Sequence, residues 1–347
     1  MARVGLMASG HRPDWFDQPV LVTGATGMIG SHLCRRLVDA GVPVVALVLD
    51  DDPRSELRRS GTWGALTVVN GALEDLRCVE RAVVVHDVAT VFHLGAQTLV
   101  GAARRDPVAT FEANVRGTWN VLDVARRHAD LVQRTVVASS DKAYGASATL
   151  PYDEDDPLGG VQPYEASKAC ADIVARSFAG SYDLPVGVAR CGNVYGPGDL
   201  NWSRLVPGTT RALLEGEQPV IRSDGSLVRD YLHVSDAVGG YLALADALSS
   251  PLADRDGPGG IAFNFSDEAP RTVLEVYDAI CVAAGAAGTR PRIDGEASDE
   301  IPAQHLRASR ARERLGWKAE VALHDGLVDT VAWYRALLAA DPGSFGR

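Results

Sequence analysis

Short apolar runs alternate with amphipathic stretches through the first half of the chain. The runs span residues 20–23, 44–49, 66–69, 90–94, 134–138 and 186–190. Continuous apolar runs of this length are typical of strands that are buried on both faces. The stretches between them, notably 108–128 and 167–179, carry apolar residues at helical spacing. The alternation predicts an α/β fold, a doubly wound parallel sheet with helices on both faces.

The pattern changes after Arg190, where a smaller C-terminal lobe is expected to begin. Residues 191–229 are rich in Gly, Pro, Asn and Asp, and residues 251–260 resemble a linker. Further helices are predicted at 207–215, 271–284 and 307–315. The predicted organisation is a loose N-terminal extension at 1–18, a first domain at 19–190 to which the chain returns around 230–266, and a lobe formed by 191–229 and 267–340.

A glycine-rich turn links the first predicted strand to the first predicted helix. Its candidate ligand contacts are Gly24, Thr26, Gly27, Met28, Ile29 and Gly30. Glycines let the backbone approach a pyrophosphate, and the helix start offers N–H donors and the positive end of its dipole. Strand, turn and helix in this order predict a Rossmann domain that binds a dinucleotide. The alternative is a glycine-rich turn that binds nothing.

Tyr164 and Lys168 stand four positions apart in a stretch that is predicted to be helical. Residues at this spacing share one helix face. A cation beside a phenol favours the phenolate and lowers the pKa of the phenol. A tyrosine tuned in this way takes a proton from a hydroxyl group near neutral pH. Ser140, which follows the fifth predicted strand, is a further candidate for the same site.

The glycine turn, Ser140, Tyr164 and Lys168 together resemble the extended short-chain dehydrogenase/reductase family. The resemblance extends from about residue 19 to about residue 333. It implies a tightly bound NAD, a nucleotide-sugar substrate held by the C-terminal lobe, and a homodimer whose helix pair includes 108–128 and 167–179. The resemblance also implies that the dinucleotide lies against Leu94 and Ala96. The candidate substrate contacts that it implies are Gln97, Asn193, Arg204 and Arg229.

The residues after the second predicted strand favour NAD over NADP. They are three successive acids, Asp50, Asp51 and Asp52. An acidic side chain at this point of a Rossmann domain hydrogen-bonds the ribose hydroxyls, whereas an Arg accommodates a 2′-phosphate. Asp50 is the candidate ribose ligand. The alternative is that the three acids form a solvated turn.

The resemblance implies an oxidation at C4 of the sugar. Tyr164 takes the proton of the 4-hydroxyl, Ser140 hydrogen-bonds the same oxygen, and Lys168 holds the nicotinamide ribose. A 4-epimerase needs no further acid or base after this step. A 4,6-dehydratase must also remove the C5 proton and protonate the leaving C6 hydroxyl, which needs two more proton-transfer groups.

Asp141 and Lys142 follow Ser140 directly and are the candidates for these two groups. The Ser-Asp-Lys order resembles the CDP-glucose 4,6-dehydratase branch of the family. The leading hypothesis is therefore an NAD-dependent nucleotide-sugar 4,6-dehydratase. A 4-epimerase that works through the same 4-keto intermediate, and a catalytically idle NAD-binding relative, remain alternatives. In either of them Asp141 and Lys142 could be a simple ion pair in a turn.

Composition limits the partners. The net charge of −11 argues against a nucleic-acid partner, since phosphate binding needs clustered cations. The 5 cysteines have no repeated spacing, which argues against a disulfide framework and a zinc site. No metal is predicted. The chain has no convincing signal peptide and no apolar run of about 18 residues, so a cytoplasmic protein without membrane contact is expected.

Overall fold

The computed structural model describes residues 12–147, 149–249, 261–295 and 300–340, and they form a parallel α/β fold. Numbered in chain order, the strands of the main sheet are β1 (Val20–Thr23), β2 (Val44–Val48), β3 (Thr67–Asn70), β4 (Thr90–His93), β5 (Arg134–Ser140), β6 (Val186–Cys191) and β11 (Ala262–Phe265). Their order across the sheet is β11-β6-β5-β4-β1-β2-β3, and each neighbouring pair is parallel. The predicted doubly wound sheet is confirmed.

The described helices cover both faces of this sheet and build much of the lobe. They are α1 (Met28–Asp39), α2 (Glu56–Arg59), α3 (Leu76–Val84), α4 (Val100–Arg105), α5 (Pro107–Phe111), α6 (Gly117–Arg127), α7 (Pro163–Tyr182), α8 (Leu205–Glu215), α9 (Val234–Ala247), α10 (Val273–Ala283), α11 (Ser309–Leu315) and α12 (Leu323–Ala340). Successive β1 residues face opposite sides, as strand geometry requires. Val20 and Val22 pack in the cluster that contains α1 and α9, whereas Leu21 packs with α3 and α6.

Two parts of this architecture differ from the sequence-based expectation. The single helix predicted at 108–128 is two helices, α5 and α6, joined by a π-helical turn at Glu112–Arg116. Strand β11 lies within the region where the chain was expected to return to the first domain, but it was not predicted as a strand. Its apolar run is interrupted by Asn264, which is buried. The burial is tolerated because the Asn264 side chain accepts a hydrogen bond from the Tyr144 hydroxyl and donates one to the Tyr152 carbonyl.

The remaining described strands are short and belong mainly to the region predicted as the lobe. They are β7 (Asn193–Tyr195), β8 (Val220–Ile221), β9 (Val228–Arg229), β10 (Tyr231–His233), β12 (Arg271–Thr272), β13 (Arg292–Ile293) and β14 (Ala303–Gln304). Strand β9 lies between β12 and β14, β7 pairs with β10, and β8 pairs with β13. The domain boundaries stay predictions, and residues 1–11, 250–260 and 296–299 lie outside the described residues.

Trp15 and Phe16 lie in the segment that was predicted to be a loose extension. Both are buried in the cluster formed with α1 and α9. The Trp15 indole N–H also donates a hydrogen bond to Asp246 at 3.3 Å. Residues 13–16 are therefore packed against the first domain.

The carboxyl ends of the central strands meet at one edge of the sheet. The glycine turn follows β1, and Ser140 is the last residue of β5. Strand order reverses between β1 and β4, and open α/β sheets bind ligands at such a switch point. In the part of the chain that the structure describes, no helix combines the length and the apolar character needed to cross a membrane.

Candidate active site

At the first and last glycines of the turn, neighbouring backbone atoms leave no room for a side chain. A Cβ on Gly24 would lie 2.7 Å from the backbone N of Gly95, and Gly24 has a φ of 69°. A Cβ on Gly30 would lie 2.1 Å from the carbonyl oxygen of Gly24. Both positions are closed to any side chain because backbone atoms would have to move. The turn therefore packs closely against the loop after β4 at Gly24 and against the first turn of α1 at Gly30.

The middle glycine faces open space. A Cβ on Gly27 would come no nearer than 3.4 Å to a protein atom, which is an ordinary contact, and Gly27 is exposed. No side chain of the described residues caps the N-terminus of α1, which begins at Met28. The N–H groups of the first turn are therefore available to an anion.

Ser140, Asp141 and Lys142 form one hydrogen-bonded cluster at the end of β5. The Ser140 hydroxyl donates to Asp141 Oδ1 at 2.8 Å, and the Lys142 backbone N–H donates to Ser140 Oγ at 3.2 Å. Lys142 Nζ lies 3.1 Å from Asp141 Oδ2. Asp141 is buried, whereas the Lys142 side chain is partly exposed. The ion pair that the sequence allowed as an alternative is present, and it is joined directly to Ser140.

Tyr164 stands in the first turn of α7, and its phenol lies beside Ser140. Burial raises the pKa of its phenol to about 12, and the positive charge of Arg204 is the largest opposing influence. The negative charge of Asp141 raises the pKa further, and the Ser140 hydrogen bond lowers it. The lowered pKa expected from the sequence is thus not observed in this structure, because burial outweighs the charge of Arg204.

Lys168 lies on the same face of α7, one turn after Tyr164, and is buried. Its Nζ donates to the Ala138 carbonyl at 2.8 Å, inside β5. Burial lowers the pKa of the ammonium to about 8, and Asp172 opposes that shift. Lys168 is therefore fixed against the strand that carries Ser140.

The π-helical turn tightens this arrangement through Asn114. Its Oδ1 accepts from the Gln97 backbone N–H at 2.7 Å, and its Nδ2 donates to the Gln97 carbonyl at 3.0 Å. The same Nδ2 lies 2.8 Å from Ser167 Oγ on α7. One buried amide thus joins the loop after β4 to the helix that carries Tyr164 and Lys168.

The three acids after β2 have different surroundings. Asp51 pairs with Arg58, and Asp52 pairs with Arg54 at 2.9 Å. Asp50 is exposed and makes no ion pair among the described residues. Asp50 is therefore the acid of the three that remains available to a ligand hydroxyl.

The comparison with known families decides the identity of this fold and site. The profile of the NAD dependent epimerase/dehydratase family matches residues 20–255. The chain belongs to this family. The resemblance inferred from the glycine turn, Ser140, Tyr164 and Lys168 is confirmed.

Dehydratases and epimerases both occur among the similar proteins. The CDP-glucose 4,6-dehydratase of Salmonella typhimurium is 30% identical over 340 residues, which cover 94% of this chain and 93% of that enzyme. A double mutant of DesIV, a dTDP-glucose 4,6-dehydratase from Streptomyces venezuelae solved with NAD and DAU bound, superposes with a TM-score of 0.82 at 27% identity, covering 94% of this chain and 99% of that one. A UDP-glucose 4-epimerase from Thermotoga maritima, solved with UDP-glucose, gives a TM-score of 0.81 at 28% identity, covering 92% and 100%.

The glycine turn fits NAD, the dinucleotide named in the description of this family. Gly24 and Gly30 are closed by the protein, Gly27 leaves room for a ligand, and the start of α1 offers free N–H donors. The exposed carboxylate of Asp50 suits ribose hydroxyls. Among the described residues no group of three His, Cys, Asp or Glu side chains could hold a metal ion.

Gly27→Ala tests this fit. Because the new methyl group contacts the protein only at 3.4 Å, we expect the thermal unfolding temperature to stay close to that of the wild type. The methyl group occupies the space where a pyrophosphate approaches, so NAD affinity should fall by about tenfold or more. Calorimetric titration of protein freed of nucleotide measures the affinity. Unchanged NAD affinity in a folded Gly27→Ala protein would place the dinucleotide elsewhere.

The predicted substrate residues differ in what their side chains contact. The Gln97 side chain accepts from the Leu99 backbone N–H, and the Asn193 side chain donates to the Asp230 carbonyl at 3.4 Å. Arg204 is exposed and pairs with Asp199 at 3.0 Å, near enough to Tyr164 for its charge to act on the phenol. All three stay predicted substrate contacts.

Arg229 is less available than the sequence indicated. It is buried, and its guanidinium donates to the carbonyls of Val228, Ile301 and Pro302. Most of its donors therefore support the backbone around β9. A role in binding pyrophosphate stays a prediction for this residue.

Sequence reasoning missed two residues beside the cluster. Gln304 accepts a hydrogen bond from Lys142 Nζ. Asp230 is buried, and its pKa is raised to about 7, first by burial and then by the nearby charge of Asp141. The Arg229-Asp230 pair was noticed only as part of a family pattern. No signal in the sequence points to Gln304, which lies far along the chain.

Proposed function

We propose that the protein is an NAD-dependent nucleotide-sugar 4,6-dehydratase. The observation that carries this proposal is the ion pair between buried Asp141 and partly exposed Lys142, which is hydrogen-bonded to Ser140 beside Tyr164. Oxidation at C4 needs Ser140, Tyr164 and Lys168 alone. Elimination needs one additional proton acceptor and one donor, and the pair supplies both.

The residues of the cluster have distinct tasks in the first step. When bound at the glycine turn, NAD supplies the hydride acceptor for C4 and the hydride that is returned at the end of the cycle. Tyr164 takes the proton of the 4-hydroxyl, and Ser140 hydrogen-bonds the same oxygen. The positive charge of Arg204 favours the phenolate. Lys168, fixed on the Ala138 carbonyl, would hold the nicotinamide ribose.

The elimination balances on the Asp141–Lys142 pair. One member takes the C5 proton of the 4-keto sugar, which is acidic because the carbanion is delocalised into the ketone. The other gives a proton to the C6 hydroxyl as the C6–O bond breaks and water leaves. The hydrogen bond of 3.1 Å between Nζ and Oδ2 then lets the proton return within the pair. The charge of the pair is the same before and after. In the final reduction a hydride adds at C6 and a proton adds at C5, and release of the proton that Tyr164 took from the 4-hydroxyl balances the proton added at C5.

A 4-epimerase is the second candidate, because the similar UDP-glucose 4-epimerase covers 92% of this chain. Epimerisation leaves the buried Asp141 without a chemical task.

To separate the two functions, the protein with added NAD is incubated with CDP-glucose, dTDP-glucose or UDP-glucose, and the masses of the products are measured by mass spectrometry. A product lighter by one water supports the dehydratase. An epimer of unchanged mass would replace it with the epimerase. The Ser-Asp-Lys order and the Salmonella relative make CDP-glucose the first substrate to test.

We infer that the protein is a homodimer. Helices α5, α6 and α7 present exposed apolar side chains, which include Val108, Phe111, Trp119 and Ile173. Val108 is 69% exposed and Ile173 is 50% exposed, although both belong to helices that pack on each other. Exposed apolar patches of this kind mark interaction surfaces. Light scattering should give twice the mass of one chain, and a monomer at micromolar concentration would contradict the inference.

A further inference from the structure

The ammonium of Lys142 is held by a residue that follows it 162 positions later in the chain. Its Nζ donates to Gln304 Oε1 as well as to Asp141 Oδ2. Gln304 is 1% exposed and belongs to β14. We propose that Gln304 is a positioning residue that fixes the Lys142 ammonium for the elimination step. This inference rests on the proposed dehydratase function.

The backbone around Gln304 is fixed on both sides. In the pairing of β14 with β9, Gln304 lies opposite Arg229. Two residues further on, Leu306 forms a parallel bridge with Tyr152, and its N–H donates to Asp230 Oδ2 at 3.2 Å. The Gln304 side chain therefore starts from a rigid segment, as a positioning group requires.

The orientation of the Gln304 amide is also set. Its Nε2 donates to the Gly145 carbonyl at 3.5 Å, and the Tyr152 hydroxyl donates to the same carbonyl. With Nε2 bound in this way, Oε1 faces Lys142. An amide oxygen accepts hydrogen bonds and carries no titratable proton. Gln304 can thus hold the ammonium without competing for its proton.

Lys142 needs such a partner because of its own flexibility. A lysine carries its charge on a flexible four-carbon stem, and the Lys142 side chain is 21% exposed. With the hydrogen bond to Asp141 alone, the Lys142 side chain can still rotate its ammonium toward solvent. Gln304 supplies a second anchor from the opposite lobe. A reacting group displaced by about 1 Å can lose about 10²-fold in rate.

Gln304→Leu, Gln304→Asn and Gln304→Glu test the proposal in single-turnover experiments on the holoenzyme. Leu removes the hydrogen-bond acceptor for Lys142, and Asn, which is one methylene shorter, moves the amide oxygen away from it. Each substitution should slow elimination by about 10²-fold and leave the C4 oxidation rate and KM unchanged. Glu keeps an oxygen for Lys142 but, unlike the amide, competes for its proton, so it should slow elimination less than Leu does without restoring the wild-type rate. The absorbance of reduced nicotinamide reports oxidation, and mass spectrometry reports loss of water.

Gln218→Leu is the matched control. Gln218 is exposed and its side chain donates to the Arg290 carbonyl at 3.2 Å, so the same substitution there should leave elimination near the wild-type rate. In a Lys142→Met background, Gln304→Leu should cause no further loss, because residues that act through one another are not additive.

If the wild-type protein does dehydrate its substrate, three results would contradict the role of Gln304 without affecting the proposed dehydratase function. They are equal losses of oxidation and elimination in the Gln304 variants, a Gln218→Leu loss as large as that of Gln304→Leu, and a further loss in the Lys142→Met background. A wild-type enzyme that forms no dehydrated product from any nucleotide hexose overturns the proposed function, and this inference with it.

Discussion

Tyr164→Phe should lower the rate of C4 oxidation by about 10²–10⁴-fold, the usual contribution of a positioned acid or base. The substitution removes only the hydroxyl that lies beside Ser140 and takes the proton of the sugar. The ring stays in the first turn of α7, so binding of NAD and of the nucleotide sugar should be retained. Absorbance of reduced nicotinamide in a single turnover measures the oxidation, and equilibrium titration measures the binding.

Tyr182→Phe is the control for this variant. Tyr182 ends the same helix and is 53% exposed, so loss of its hydroxyl should leave oxidation unchanged. Oxidation at the wild-type rate in Tyr164→Phe would remove Tyr164 from the chemistry. Loss of NAD binding in Tyr164→Phe would show that the hydroxyl has a binding role instead.

Asp141→Asn and Lys142→Met should each slow elimination by about 10²–10⁴-fold while C4 oxidation continues. Each substitution removes one of the two groups that exchange protons with C5 and with the C6 oxygen. Reduced nicotinamide should then accumulate in a single turnover, since the 4-keto sugar can go no further. The observation that separates this from a general loss of activity is a normal oxidation rate without water loss.

Lys318→Met is the matched control, because Lys318 is exposed. It should dehydrate its substrate at the wild-type rate. Asp141 is buried and accepts two hydrogen bonds, so thermal unfolding of Asp141→Asn is measured in parallel to separate lost chemistry from lost structure. Dehydration at the wild-type rate in either site variant would leave the pair as a simple ion pair in a turn.

Much of the site could be predicted because its residues are close in sequence or share one helix face. Ser140, Asp141 and Lys142 are consecutive, and a strand that ends at Ser140 places them at the carboxyl edge of the sheet. Tyr164 and Lys168 meet them because α7 begins at Pro163, where the Glu165 side chain accepts from the Gln162 backbone N–H. The main-sheet strands other than β11 were predictable because double burial leaves continuous apolar runs.

The rest depends on contacts between distant segments or on burial that no local pattern shows. Gln304 reaches Lys142 only because β14 pairs with β9. The π-helical turn follows from the inward position of Asn114, which binds Gln97 and Ser167. The raised pKa of Tyr164 reflects desolvation, whereas the sequence indicated only the neighbouring cation.

Reaction in heavy water tests the proposed elimination most directly. Removal of the C5 proton by the Asp141–Lys142 pair, whose lysine is partly exposed to solvent, makes that position of the product exchange with the medium. We predict a 4-keto-6-deoxy sugar that has lost one water and carries solvent deuterium at C5, as seen by mass spectrometry and NMR. A product isomeric with the substrate and free of deuterium would contradict the dehydratase and identify an epimerase.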